Sequence, residues 1–128
     1  MNRTKPLIFV LLTTMLFISI NSFAGETYQL RLFFGLSRSN GHGVSLEEWQ
    51  TFEKESLAKA FSGFNVVNST GYYKGKPEAC KIVTLICGEE EIQKAKVLAG
   101  QYAKTFDQES VMMVKGAVLE WSFIGSND

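Results

Sequence analysis

The chain has 128 residues with 13 basic and 13 acidic side chains, 45% hydrophobic residues and a single histidine. Such a chain can bury one core but not two. It carries no basic stripe or arginine-rich arm, so nucleic-acid binding lacks its electrostatic footprint.

Residues 1–24 have the pattern of an address rather than of a fold. Arg3 and Lys5 precede an apolar run from Leu7 to Ile20, broken only by Thr13, Thr14 and Ser19, and Ser22 and Ala24 supply the small residues before a cleavage point. The run of 14 residues falls short of the roughly 20 that span a bilayer as a helix. The expectation is a cleaved signal peptide over 1–24 and one domain over 25–128, placed in the periplasm or secreted from a bacterium. No later segment is apolar enough to span a membrane. Residues 25–128 hold 11 basic side chains against 13 acidic, leaving small molecules and proteins as the open partner classes.

From Tyr28 to Leu36 the sequence alternates. Leu30, Leu32, Phe34 and Leu36 point one way, and Gln29, Arg31 and Phe33 the other, the period of a half-buried strand. Ser45 to Glu48 spells a capping box, with Val44 and Trp49 placed as a hydrophobic staple. Trp49, Phe52, Leu57, Ala60 and Phe61 then mark a helix that stops at Ser62-Gly63. Phe64 to Tyr73, rich in Val, Thr and Tyr, predicts an edge-like strand, "KGKP" a turn, and Cys80 to Cys87 a third strand. Glu89, Glu90 and Glu91 put negative charge on the first turn of a second helix, whose buried stripe is Ile92, Ala95, Ala99, Tyr102 and Phe106. Val111 to Phe123 predicts a last strand, bulged near Lys115-Gly116. The order β-α-β-β-α-β is the ferredoxin-like arrangement, an α+β fold with an antiparallel four-stranded sheet and both helices on one face.

An internal Cys80–Cys87 bridge does not suit this layout. Seven strand residues span about 23 Å at ~3.3 Å each, whereas a disulfide needs Cα atoms within about 7 Å. Both faces of the third strand are apolar, with Ile82 and Ile86 on one and Val83, Leu85 and Cys87 on the other. The last strand repeats this. One layer of helices covers one face only, so the other needs a cover: a second subunit, giving a homodimer through the sheet, a terminal segment or a ligand.

The segments "FFGLSR", "VSLEEWQTFEKESLAKAFSGFNV", "GYYKG", "EACKIVTLI" and "YAKTFDQESVMMV" together resemble a bacterial family of short exported proteins, domain of unknown function 3574. The resemblance runs over about residues 30–115. Two departures stand out: Tyr72-Tyr73 where the family has a segment with tryptophan, and Cys80 where a serine is usual. The family implies no activity, cofactor or metal to carry over.

Candidate site residues come from the residues themselves. Ser37 and Arg38 precede a helix N-terminus, where free amides favour an anion and the guanidinium can clamp it. The glycine spacing around them matches neither a Walker loop nor a dinucleotide fingerprint. His42, flanked by glycines, is a general-base candidate and has no second histidine or nearby cysteine to make a metal site. Glu109, at the corner before the last strand, is a candidate acid or base, or the ionic partner of Arg38. Arg31 stands on the face away from the helices and would need a counter-ion such as Glu120 once that face is covered. Phe33 and Trp121 are expected beside it as the walls of a pocket. Two functions fit: a self-associating binding module of the bacterial envelope, which takes a small molecule or protein partner, or a small enzyme of the dimeric α+β barrel type acting on an apolar or acidic substrate.

Overall fold

The computed structural model describes residues 25–128; the signal-peptide assignment lies outside the described residues. Four strands, β1 (Tyr28–Gly35), β2 (Asn65–Tyr73), β3 (Lys76–Cys87) and β4 (Met112–Ala117), form one sheet in the order β2-β3-β1-β4. Every pairing is antiparallel. The split β-α-β-β-α-β arrangement read from the sequence is therefore the fold.

The first helix begins at Leu46 under the predicted cap: Ser45 Oγ accepts from the Glu48 amide at 3.1 Å, and the Glu48 carboxylate accepts from the Ser45 amide at 3.1 Å. It runs as α-helix over Leu46–Phe52, widens to a π-helical turn over Glu53–Leu57 and closes with Ala58–Ala60. The wide turn has a cause in the sequence. Phe52 and Leu57 are five residues apart, one more than an α-helical face allows. The extra residue is absorbed by the i→i+5 bond from the Ala58 amide to the Glu53 carbonyl, so Phe52, Leu57 and Phe61 are all buried. The second helix spans Glu89–Thr105, with three glutamates in its first turn and Lys104 in its last.

The core lies between the helices and one face of the sheet. Leu30, Leu32 and Phe34 of β1 and Val83, Leu85 and Cys87 of β3 meet Trp49, Phe52, Leu57, Ile92, Ala95 and Tyr102. Its centre is aromatic: Tyr102 sits 4.8 Å from Phe34, 4.9 Å from Phe52 and 4.7 Å from Phe106, ring to ring. Tilted and edge contacts at these distances add about 0.5–1.5 kcal/mol per pair to the burial term.

Two boundaries differ from expectation. β3 begins at Lys76 rather than Cys80, because Lys74 and Gly75, both at positive φ, make a two-residue turn that keeps Lys76 paired with Tyr73. β4 ends at Ala117 instead of Phe123, and residues 118–128 are irregular. The alternating apolar residues after Ala117 imitate a strand, but β1 begins at Tyr28, opposite Ala117, and offers no further partner. Both cysteines are free thiols, Cys87 buried and Cys80 half-buried.

Candidate functional site

The corner 36–44 is a folded turn. The Arg38 amide donates to the His42 carbonyl at 2.8 Å and the Gly41 amide to the Arg38 carbonyl at 3.0 Å. Gly41 sits at φ +84°, a left-handed conformation that a side chain would strain. Ser37 bridges to Gly43, and Gln108 Nε2 donates to the Ser37 carbonyl at 2.6 Å. His42 is exposed, with its amide on Asn40 Oδ1 at 3.0 Å.

Arg38 is committed within this corner. Its guanidinium donates to the Gly43 carbonyl at 2.7 Å, pairs with the Glu48 carboxylate and lies 5.4 Å from the Phe106 ring centre. Its ionic partner is thus Glu48, not Glu109. The Arg38 hydrogen bond, aided by the Ser45 amide, lowers the Glu48 carboxyl to about 2 from an ordinary 4.5; the same bond raises Arg38. A carboxyl held below its unfolded value adds stability that is whole above about pH 4.5 and is lost as pH falls through about 2. Urea unfolding across that window should show a loss that Glu48→Gln lacks, with Glu55 and Glu89, also lowered, supplying what acid sensitivity remains. Equal acid sensitivity of the two proteins would refute the role of this pair.

Glu109 stands elsewhere, at a shallow cleft with Ala99, Ala103, Val111 and Met113. His42, Arg31 and Glu109 therefore occupy three separate places. Burial pushes the Cys80 and Cys87 thiols up, away from the thiolate a nucleophile needs. Among the described residues, no three His, Cys, Asp or Glu side chains gather as a metal site would require.

The open face of the sheet is different in kind. The strand register aligns Val67 with Ile82, Ile82 with Phe33 and Phe33 with Met112, an apolar row across all four strands. Alongside it run Asn65, Thr84, Arg31 and Val114. Val67 is 53%, Met112 56%, Ile86 43% and Val114 41% exposed, whereas the helix-facing row is buried. Arg31 lies with its guanidinium carbon 5.3 Å from the Phe33 ring centre, and among the described residues it forms no ion pair. Beyond Gln29, Thr84 and Ile86, the irregular C-terminal segment brings Trp121 and Phe123 round a cleft of about 610 Å³. Arg31 and Phe33 lie on the same face but do not line that cleft.

The sequence pattern pointed to Arg31, Phe33 and Trp121 on this face. It missed Val67 and Met112, whose place depends on register between strands distant in the chain. It also missed a second groove of about 510 Å³ between the helices, rimmed by Glu47, Thr51 and Glu55 over Phe52 and Phe106. The partner of Arg38 was legible only in part, since Glu48 was already assigned to the helix cap.

Comparison with known proteins bears on the fold and the family. The family described as protein of unknown function (DUF3574) matches over residues 29–123. None of the curated proteins matches the chain. Among solved structures, a phage SAM lyase in complex with S-methyl-5'-thioadenosine is similar with a TM-score of 0.55 and 20% identity, over 73% of this chain and 82% of that one. The same enzyme in its apo state gives 0.51 and 20%, over 70% and 79%. At this identity the likeness is one of fold.

Proposed function

The chain belongs to the DUF3574 family, and we propose that it serves as a self-associating binding module, exported by its N-terminal segment, whose open sheet face packs on that of a second copy. The observation carrying this reading is the row Val67–Ile82–Phe33–Met112, apolar and aligned by register, with both ends more than half exposed and Ile82 and Phe33 half-buried between them. A soluble protein that leaves such a row facing water meets aggregation unless a specific partner covers it. A two-fold axis parallel to the sheet plane, lying between the two copies, turns the open face of one toward that of the other, an isologous interface. In this arrangement Arg31 and Thr84 face the interior of the assembly.

The similarity of fold to the phage SAM lyase favours a second reading, a small enzyme with its pocket at this face. The cleft beneath Trp121 and Phe123 has the size and mixed lining of a small-molecule site, with Gln29, Asn65 and Thr84 as polar contacts.

Native mass spectrometry of the protein made from its full reading frame in a bacterial host tests both readings. The self-associating module predicts a dimer whose subunits begin at Gly25, the result of cleavage after Ala24. A monomer at tens of micromolar, about the range in which weak dimers still form, would sink the module. Subunits that retain residues 1–24 would sink the export assignment. A small molecule retained in the dimer would support the enzyme reading.

A further inference from the structure

The C-terminal segment 118–128 has no regular structure; at its root the Val118 amide donates to the Thr27 carbonyl at 2.9 Å, and farther on Trp121 and Phe123 border a cleft with Gln29, Thr84 and Ile86 at one end of the chain's own open face. The bond from the Asp128 amide to the Gly125 carbonyl, at 3.3 Å, only turns its tip on itself. Yet Leu119 is fully exposed, Phe123 90%, Ile124 79% and Trp121 53%. Four large apolar side chains in six residues are a poor composition for a solvated tail. The only charge among residues 119–124 is Glu120, which among the described residues forms no ion pair.

The open sheet face is the complement of this arm. Its central rows are apolar or neutral apart from Arg31, which lies over the Phe33 ring without a carboxylate partner among the described residues. An apolar segment with one acid thus belongs to the same chain as an apolar surface with one base. Dimensions agree as well. Six extended residues reach about 20 Å at ~3.3 Å each, and a four-stranded sheet is roughly 15 Å across at ~4.8 Å per strand spacing.

We propose that the arms are exchanged: in the dimer, the segment following β4 of each copy lies across the open face of the other, with the Glu120 carboxylate on the partner's Arg31 and Leu119 and Phe123 over the apolar row. This rests on the self-association proposed above and specifies the occupant of the face. Exchange removes the exposed arm and the uncovered row together. It also gives the lone arginine a counter-ion in the water-poor interface, where a charge without a partner is costly. By symmetry each dimer holds two such pairs.

A charge-swap cycle read by sedimentation equilibrium tests it. Arg31→Glu and Glu120→Arg each remove both pairs and set like charges against each other, so each should raise the dimer dissociation constant by about 30-fold or more. The double variant, with the charges exchanged, should return to within about 3-fold of the original protein. Both positions are exposed, so the folded monomer should keep its circular dichroism spectrum. If the unaltered protein dimerises but the single variants dimerise equally well, or the double variant does not recover, arm exchange is wrong while self-association stands. A monomeric unaltered protein would overturn both. Ending the chain at Ala117 is a second check: β4 is complete there and no residue of the buried core lies beyond it, so the truncated chain should fold but dimerise at least about 30-fold more weakly.

Discussion

Replacing Tyr102 with alanine is expected to lower the free energy of unfolding by about 3–5 kcal/mol, the usual cost of deleting a large ring from a packed core. Tyr102 is fully buried, and its ring contacts Phe34, Phe52, Trp49 and Phe106. Its hydroxyl donates to the Gly35 carbonyl at 2.7 Å, joining the second helix to the end of β1. Burial, the largest cause, holds this phenol well above its ordinary value and therefore neutral. Small domains are stable by only about 5–15 kcal/mol, so the alanine variant should be close to unfolding at 37 °C. Tyr102→Phe keeps the ring and loses the donor, at about 1 kcal/mol. Urea unfolding of the three proteins separates packing from hydrogen bonding. If alanine costs no more than phenylalanine, the aromatic cluster is not the centre of the core.

Met112→Glu is expected to weaken self-association by at least about 100-fold while changing monomer stability by no more than ~0.5 kcal/mol. The methionine ends the apolar row at the edge strand and is more than half exposed in the single chain, so the substitution removes little from the folded monomer. In an isologous interface the same carboxylate enters twice, buried against Phe33 and its counterpart. Val97→Glu is the matching control. Val97 is 60% exposed on the second helix, on the other side of the domain from the open face, and should leave association unchanged. Sedimentation of the two variants at one concentration decides the matter: a Met112→Glu protein as dimeric as Val97→Glu would show that the open face is not the contact.

Both expectations begin in periodicity. Leu30, Leu32 and Phe34 alternate with Arg31 and Phe33, and this two-residue period alone placed the first set in the core and the second on the far face. The cap at Ser45, the glutamates opening the second helix and the apolar stripe from Ile92 to Phe106 were likewise legible, since each depends on residues within one or two turns. Local order then restricted the topology, because right-handed crossovers leave few ways to close β-α-β-β-α-β into one sheet. The likeness to DUF3574 was also readable from short segments in the right order.

What escaped was whatever depended on partners distant in the chain. The end of the last strand depended on where β1 begins, so an alternating run past Ala117 became an irregular arm instead of a strand. The partner of Arg38 was decided when the corner 36–44 folded back on the first helix and brought Glu48 within reach ahead of Glu109. Within the strands and helices, the spacing of apolar residues was enough to mark the side chains that face the core, because that periodicity is local. That Val67, Ile82, Phe33 and Met112 form one continuous row, and that Arg31, His42 and Glu109 stand apart, emerged with the folded chain, because strand register and loop closure are set by contacts between segments that the linear order does not relate.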